Sequence, residues 1–317
     1  MAISLPLDPN EVFAAGRLIG LPTETVYGLA APIDRPDLVA RIFELKGRPP
    51  SNPLIVHVGS LDQARSCVRH WPALATELAE RFWPGPLTLV LPKADHISEL
   101  ITAGHDTVAL RMPDHPVALA ILEACAAPLV APSANLFTRI SPTRAEDVSA
   151  VFSDADVAVV DGGPCRVGIE STIIAIDDER RLVTWLRPGM INREQIAAEL
   201  PTGWQLIEPG QARSATAMAP GRMREHYRPV KPLTVIVMPD SSAVDGLDLP
   251  VGTELIKLPE SADLAARELY TRLRQADCGE ARSLLIRLPA RCLADPAWGG
   301  IVNRLRKAAS KWSEVEV

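Results

Sequence analysis

"PDLVARIFELKGRPPSNPLIVHV", Pro36 to Val58, runs from a helical pattern through a loop into a strand pattern. Leu38, Ile42 and Leu45 fall at i, i+4 and i+7, the spacing of one helical face. Gly47 stands where glycine commonly ends a helix. "PLIVHV" then reads as a β-strand carrying His57. Lys46 and Arg48 flank the junction beside Pro49, Pro50 and Pro53. Taken alone, this cationic tripeptide reads as a solvated surface loop.

The same interleaving extends in both directions. Asp8, Pro9 and Glu11 have the order of an N-cap, a first-turn proline and a capping glutamate, for a helix that stops near Gly16. "RLIGLP", "PLTLVL", "DTVALR", "PLVAPSAN", "VAVVDG", "STIIAI" and "RLVTWL" read as strands. "LDQARSCV", "PALATELAERF", "PVALAILEAC" and "TRAEDVSAVF" read as helices between them. Several neighbouring strands stand too close for a helical crossover, so residues 1–202 are expected to form an α/β domain with a mixed sheet. Residues 203–232 lose this rhythm and read as a linker or an ordered functional loop. Strands "LTVIVM", "TELIKL" and "SLLIRL", with helices over 262–275 and 296–309, predict a second, smaller α/β domain over 233–317.

Composition narrows the function classes. Hydrophobic residues make up 47% and charged residues 23% of the 317, as in an ordinary globular protein. A net charge of −6 argues against a surface that grips nucleic acid throughout, so any anionic ligand needs a local cluster of cations. The five cysteines show no CxxC spacing, and the histidines do not pair with them at metal-ligand intervals. Reduced thiols, no leader-like start and no membrane-spanning stretch together give a cytoplasmic expectation. GxxxxGK[ST], strand-linked GxGxxG, GxSxG and HExxH are all absent from the sequence. That removes the P-loop, and it leaves a serine nucleophile or a metal-bound hydroxide with little support.

Six segments carry chemistry-bearing residues. "LPTETVYGLAA" offers Thr23, Glu24 and Thr25, either as a helix cap or as a turn directed at a small polar ligand. "PSANLFTRISPT" follows a strand, where ligands collect in open α/β sheets, and brings Ser133, Asn135 and Ser141. "DTVALRMPDHP" ends its strand on Arg111, a candidate carboxylate clamp or an ion-pair partner of Asp114. "GIESTIIAI" and "TWLRPGM" place Ser171 and Arg187 at strand ends. "PGRMREHYRP" contains Arg222, Arg224, His226, Tyr227 and Arg228, suited to a solvated hinge or a strap over an anion.

In this order, "PTETVYGL", "KGRPPSNPL", "DTVALRMPDH", "PSAN…SPT" and "ESTII" resemble the YrdC-type family over most of residues 10–200. "PGRMREHYRP" and the tail "WGGIVNRLRKAA" resemble its long two-domain branch, which makes L-threonylcarbamoyladenylate. The resemblance implies a YrdC-like domain with a twisted mixed β-sheet flanked by helices, plus a smaller Rossmann-like α/β domain. It implies a nucleotidyltransferase that joins L-threonine, bicarbonate and ATP and releases pyrophosphate. The product serves threonylcarbamoyl modification of the tRNA adenosine next to the anticodon.

By position, Lys46 and Arg48 would hold the ATP phosphates and carry catalysis, and Asn52 would touch the nucleotide. Thr25, His57, Arg111 and Ser171 would line the threonine pocket. Thr107, Ser133, Asn135, Ser141, Arg187 and Tyr227 would lie on the ATP side, with residues 205–231 closing as a lid. Magnesium would come on the ATP phosphates, with no protein metal ligands and no structural metal. The implied partners are proteins that transfer the threonylcarbamoyl group to tRNA, with weak tRNA contact and no membrane. One departure stands out, since many members carry glycine where this chain has Thr138. Two other readings use the same fold: carbamoyl transfer in hydrogenase maturation, which needs extra acylphosphatase-like and zinc segments, and a non-catalytic RNA-binding module.

Overall fold

The computed structural model describes residue 5 and residues 7–209, 226–240 and 249–314. Ten strands form one mixed sheet: β1 (Leu18–Leu21), β2 (Gly28–Pro32), β3 (Ile55–His57), β4 (Leu87–Pro92), β5 (Thr107–Arg111), β6 (Leu129–Val130), β7 (Val157–Val159), β8 (Thr172–Asp177), β9 (Leu182–Arg187) and β10 (Gln205–Ile207). Their spatial order is β10-β9-β8-β4-β5-β3-β6-β2-β1-β7. Short connections give the antiparallel pairs β1/β2 and β8/β9, while β3/β5, β4/β8 and β1/β7 run parallel. The expected mixed order is therefore present.

Four further strands make a second sheet, β11 (Leu233–Met238), β12 (Thr253–Leu255), β13 (Ser283–Pro289) and β14 (Lys311–Glu314), ordered β12-β13-β11-β14. Every pairing in it is parallel. No helix among the described residues is long and apolar enough to cross a membrane.

Local chemistry explains the junctions. Helix Pro36–Lys46 buries Leu38 and Ile42 and ends at Gly47, whose φ of 60° lies in the left-handed region that glycine enters without steric cost. Asp8 caps helix Pro9–Ala14 by accepting from the Asn10 amide. The "LPTETVYGLAA" segment does not start a helix. Instead, the Thr23 hydroxyl closes a turn by donating to the Val26 carbonyl at 2.6 Å, and β2 follows. β2 is buried at every position, so it lacks the alternation that marks a half-exposed strand. "PLVAPSAN" pairs as a strand only over Leu129–Val130, with one further bridge from Ser133 to Gly28.

One expectation about residues 203–232 changes. Gln205–Ile207 form β10, an edge strand parallel to β9, so these residues extend the sheet rather than close over a site. Residues 210–225, including Arg222 and Arg224, lie outside the described residues. Beyond them, the Arg228 amide donates to the Thr138 carbonyl at 2.8 Å. Thr138 itself has φ 68°. A β-branched residue thus occupies the left-handed conformation for which glycine is suited, at a cost of about 1–3 kcal/mol. The loop keeps the glycine-type backbone without the glycine.

The two sheets belong to units that meet backbone to backbone. A Cβ on Gly168, which has φ +84°, would lie 2.4 Å from the Arg267 Cα. A Cβ on Gly300 would lie 2.7 Å from the Gly189 carbonyl oxygen. Val26, Ile140, Ile169 and Tyr227 join Leu269, Tyr270 and Ile301 in one apolar core across this seam. Arg274 Nε also reaches Asp147 Oδ1 at 3.0 Å.

Candidate active site

β3 and β5 run parallel and end side by side, with His57 paired to Arg111. The turn after β1 brings Thr23 and Thr25 beside them, the segment after β6 brings Ser133, and β9 ends on Arg187. Together they enclose a cavity of about 580 Å³, counted out to its mouth. Of the thirteen residues given roles by the family resemblance, eight line it: Thr25, Arg48, His57, Arg111, Ser133, Ser171, Arg187 and Tyr227.

One end of the cavity pairs a fixed cation with a neutral imidazole. Arg111 Nη2 lies 2.6 Å from Glu24 Oε2, and both side chains are buried. Its partner is therefore Glu24 and not Asp114, which pairs with Arg166 at 2.6 Å. Arg111 Nε also donates to the Gly85 carbonyl at 3.3 Å. The buried Nδ1 of His57 has no hydrogen-bond partner. Burial first, and then the Arg111 charge, bring the His57 ring down to about 3.

The other end gathers cations. Arg48 lines the wall and donates through Nη2 to the Pro53 carbonyl at 2.8 Å. Burial lowers its guanidinium to about 10. Arg187 donates to the Ser171 carbonyl at 3.0 Å and to the Ser171 hydroxyl at 3.1 Å. Ser171 Oγ lies 2.7 Å from the Thr88 hydroxyl. His226 and Tyr227 close this end, with ring centres 4.2 Å apart. Tyr227 holds a left-handed backbone at φ 64° with its side chain buried. Basic groups buried this close together disfavour one another's charged forms, and an entering anion would relieve that.

The remaining five residues sit behind or away from the wall. Lys46 is buried and donates to the carbonyls of Ser133 and Asn135, tying the helix end to the "PSAN" loop. Burial, and then Arg48, push its ammonium well below the usual lysine range. Asn135 Nδ2 donates to the carbonyls of Leu136 and Arg139, which shapes that loop. The buried Asn135 Oδ1 and Asn52 Nδ2 have no hydrogen-bond partner. Ser141 donates to Glu170 at 2.6 Å. Thr107 begins β5, four residues from Arg111 and about 13 Å away by strand rise. It lines no part of the cavity.

A stability consequence follows from the two buried imidazoles. His226 is also brought down to about 3, chiefly by burial. Both rings are neutral in the folded chain, whereas the unfolded chain takes up their protons near pH 6.5. Their contribution is thus complete above pH 6.5 and is lost as pH falls toward 3, each by up to about 1.4 kcal/mol per unit. Urea midpoints should drop steeply between about pH 6.5 and pH 4.5, and a His57→Asn/His226→Asn variant should flatten the curve. An equally steep curve in that variant would contradict this origin.

Two family models match the chain, one after the other. The Sua5/YciO/YrdC family, described as "Telomere recombination", matches residues 11–189. The family described as threonylcarbamoyl-AMP synthase, C-terminal domain, matches residues 191–310. The chain belongs to the threonylcarbamoyl-AMP synthase family. A threonylcarbamoyl-AMP synthase of Bacillus subtilis is 43% identical over 235 residues, covering 72% of this chain and 67% of its own. The Pyrococcus abyssi synthase is 37% identical over 316 residues, covering 93% and 91%. A crystal structure of P. abyssi Sua5 complexed with L-threonine superposes with a TM-score of 0.82 at 34% identity, over 98% of this chain and 97% of that one.

Within this synthase family frame, sequence reasoning had missed four residues that shape the cavity. Glu24 reads in the sequence only as part of a turn, and Glu170 lies inside "GIESTIIAI" without a role of its own. Tyr270 and Arg304, from the second unit, both hydrogen-bond to Glu170. "PTETVYGL" and "ESTII" pointed to the first two. Nothing local to Tyr270 or Arg304 announced a contact across about 100 residues or more.

Proposed function

We propose that this cavity joins L-threonine, bicarbonate and ATP into threonylcarbamoyl-AMP, with threonine at the Arg111 end and the nucleotide at the Arg48 and Arg187 end. The observation that carries the division of labour is the two-ended cavity. One end holds a buried arginine already paired with a carboxylate beside a neutral imidazole whose Nδ1 has no partner, and the other holds buried guanidinium groups. The threonylcarbamoyl-AMP synthase family supplies the reaction, and the threonine-bound P. abyssi relative supports the amino-acid end.

The chemistry needs no protein nucleophile. The threonine ammonium and bicarbonate give N-carboxythreonine, water and one proton. A carboxylate oxygen of that carbamate attacks the α-phosphorus of ATP, the bond to the β-phosphate breaks, and pyrophosphate leaves. Arg111 orients the threonine carboxylate, Thr25 offers a hydroxyl to the rest of the amino acid, and Ser171, held by Arg187, stands where the two ends meet. Arg48 and Arg187 meet the phosphates, where charge develops on the leaving group. Fixed positioning of this kind is worth up to about 7–11 kcal/mol in well-oriented reactions.

Magnesium carried on the ATP phosphates would add charge neutralisation there. Glu170 is the one carboxylate among the described lining residues, and it is already committed to Arg304, Ser141 and Tyr270. That fits a metal that rides on the substrate and not on protein ligands. We assign catalysis to residues 1–202 and bracing to 233–317, with Tyr227 at the nucleotide end. A cytoplasmic setting, where tRNA and the proteins that transfer the threonylcarbamoyl group to it reside, suits the product.

Pyrophosphate release, followed with each substrate omitted in turn, tests the reading. Release should require threonine and bicarbonate together. Equal release without either would overturn the assignment.

A further inference from the structure

Arg304 reaches out of helix Gly299–Ala308 to a residue in the cavity wall. It is fully buried, and it donates through Nε to Glu170 Oε2 and through Nη2 to the Glu170 carbonyl, both at 2.9 Å. Its Nη1 donates to the Pro188 carbonyl, next to Arg187. From helix Ala262–Cys278, the Tyr270 hydroxyl donates to Glu170 Oε2 at 3.0 Å. The Arg304 guanidinium also lies 5.5 Å from the centre of the Tyr227 ring. Neither Arg304 nor Tyr270 lines the cavity, whereas Glu170, Ser171, Arg187 and Tyr227 all do.

A carboxylate in that wall conflicts with a polyanionic substrate. Burial alone would favour the neutral acid, but Arg304 first and Arg187 next outweigh it and hold Glu170 near about 2. Glu170 is therefore ionised at neutral pH. Left alone, its charge would repel phosphates and compete with them for Arg187. Arg304 answers that charge from behind, and its bond to the Glu170 carbonyl also holds the backbone entering Ser171.

We propose that Arg304, assisted by Tyr270, is a positioning residue for the nucleotide: it neutralises and aims Glu170 so that the Arg48 and Arg187 end of the cavity accepts phosphates. The unit over residues 233–317 thereby completes a site to which its described residues contribute no lining side chain. This inference rests on the assignment of the nucleotide to that end.

Calorimetry with a non-hydrolysable ATP analogue tests it independently of turnover. Arg304→Met should weaken the analogue by about thirtyfold while threonine affinity stays within about threefold, because it exposes an unanswered carboxylate at one end only. Adding Glu170→Gln to Arg304→Met should return analogue affinity to within about fivefold of the parent, since the offending charge is then gone. Tyr270→Phe, which removes one hydrogen bond and keeps the packing, should weaken the analogue by about threefold. Should Arg304→Met not fold, Tyr270→Phe carries the test, and no loss or an equal loss for both ligands overturns the proposal. Unchanged analogue affinity in Arg304→Met, or no recovery in the double variant, also overturns it. A parent that binds the analogue but releases no pyrophosphate refutes the reaction assigned above and leaves the Arg304 role standing.

Discussion

Arg111→Leu should lower kcat/KM for threonine by about a thousandfold while ATP-analogue affinity stays within about threefold. Among the described residues Arg111 holds the one guanidinium at the amino-acid end, and truncating one partner of a buried charge pair costs about 2–5 kcal/mol or more, so the upper part of that range is the expectation. The substitution also strands Glu24, whose carboxylate lies 2.6 Å from Arg111 Nη2 with both side chains buried. An uncompensated buried charge costs roughly 3–5 kcal/mol of stability. The two effects separate in the Arg111→Leu/Glu24→Gln variant, in which melting should recover and threonine turnover should not. Recovery of turnover together with stability would mean that Arg111 serves only the fold. Arg111→Lys should retain part of the stability yet lose most of the activity, because a point charge does not reproduce the fork that meets a carboxylate.

Arg48→Ala and Lys46→Ala should each lower kcat/KM for ATP by at least about a hundredfold, for different reasons. Arg48 faces the cavity and loses a direct phosphate partner, with an expected cost of the order seen when a single transition-state donor is removed. Lys46 stands behind the wall, with its ammonium given to the carbonyls of Ser133 and Asn135. Its loss frees the loop that carries Ser133, and it also removes a cation that burial already holds far below the usual lysine range. A phosphate drawn toward Lys46 would restore its charge, so activity limited by Lys46 should rise in Lys46→Arg at high pH relative to the parent. Steady-state kinetics on both alanine variants check the pair, and near-parental values in both would remove the phosphate assignment.

Much of the cavity was legible in the sequence because its residues sit at strand ends beside turn signals. His57 and Arg111 close parallel neighbours, and the β-branched apolar runs of "PLIVHV" and "DTVALR" located both strands. β2 escaped because "GLAAP" is dominated by glycine, alanine and proline, residues depleted in strands. β10 escaped because three half-exposed residues after a proline and a glycine look like loop until β9 offers an edge. The Arg111–Glu24 pair could not be chosen over Arg111–Asp114 from sequence, since both acids were near in motif order and only packing separates them. Arg304 was least legible. It lies at a helical position where its neighbours Ile301 and Leu305 read as core, and a charge there is explained only by Glu170 across the seam. Thr138 shows the converse, a residue whose type suggested a changed loop while its φ of 68° keeps the glycine-like turn.

The account stands or falls on where the carbon of bicarbonate goes. Incubation of the full chain with ¹³C-bicarbonate, threonine, ATP and magnesium, followed by mass spectrometry of the nucleotide products, reads this directly. The expected result is a threonine-containing adenylate that carries one ¹³C and forms only when all three substrates are present. A threonine adenylate without the label, or AMP and pyrophosphate formed with no threonine adduct, would contradict it.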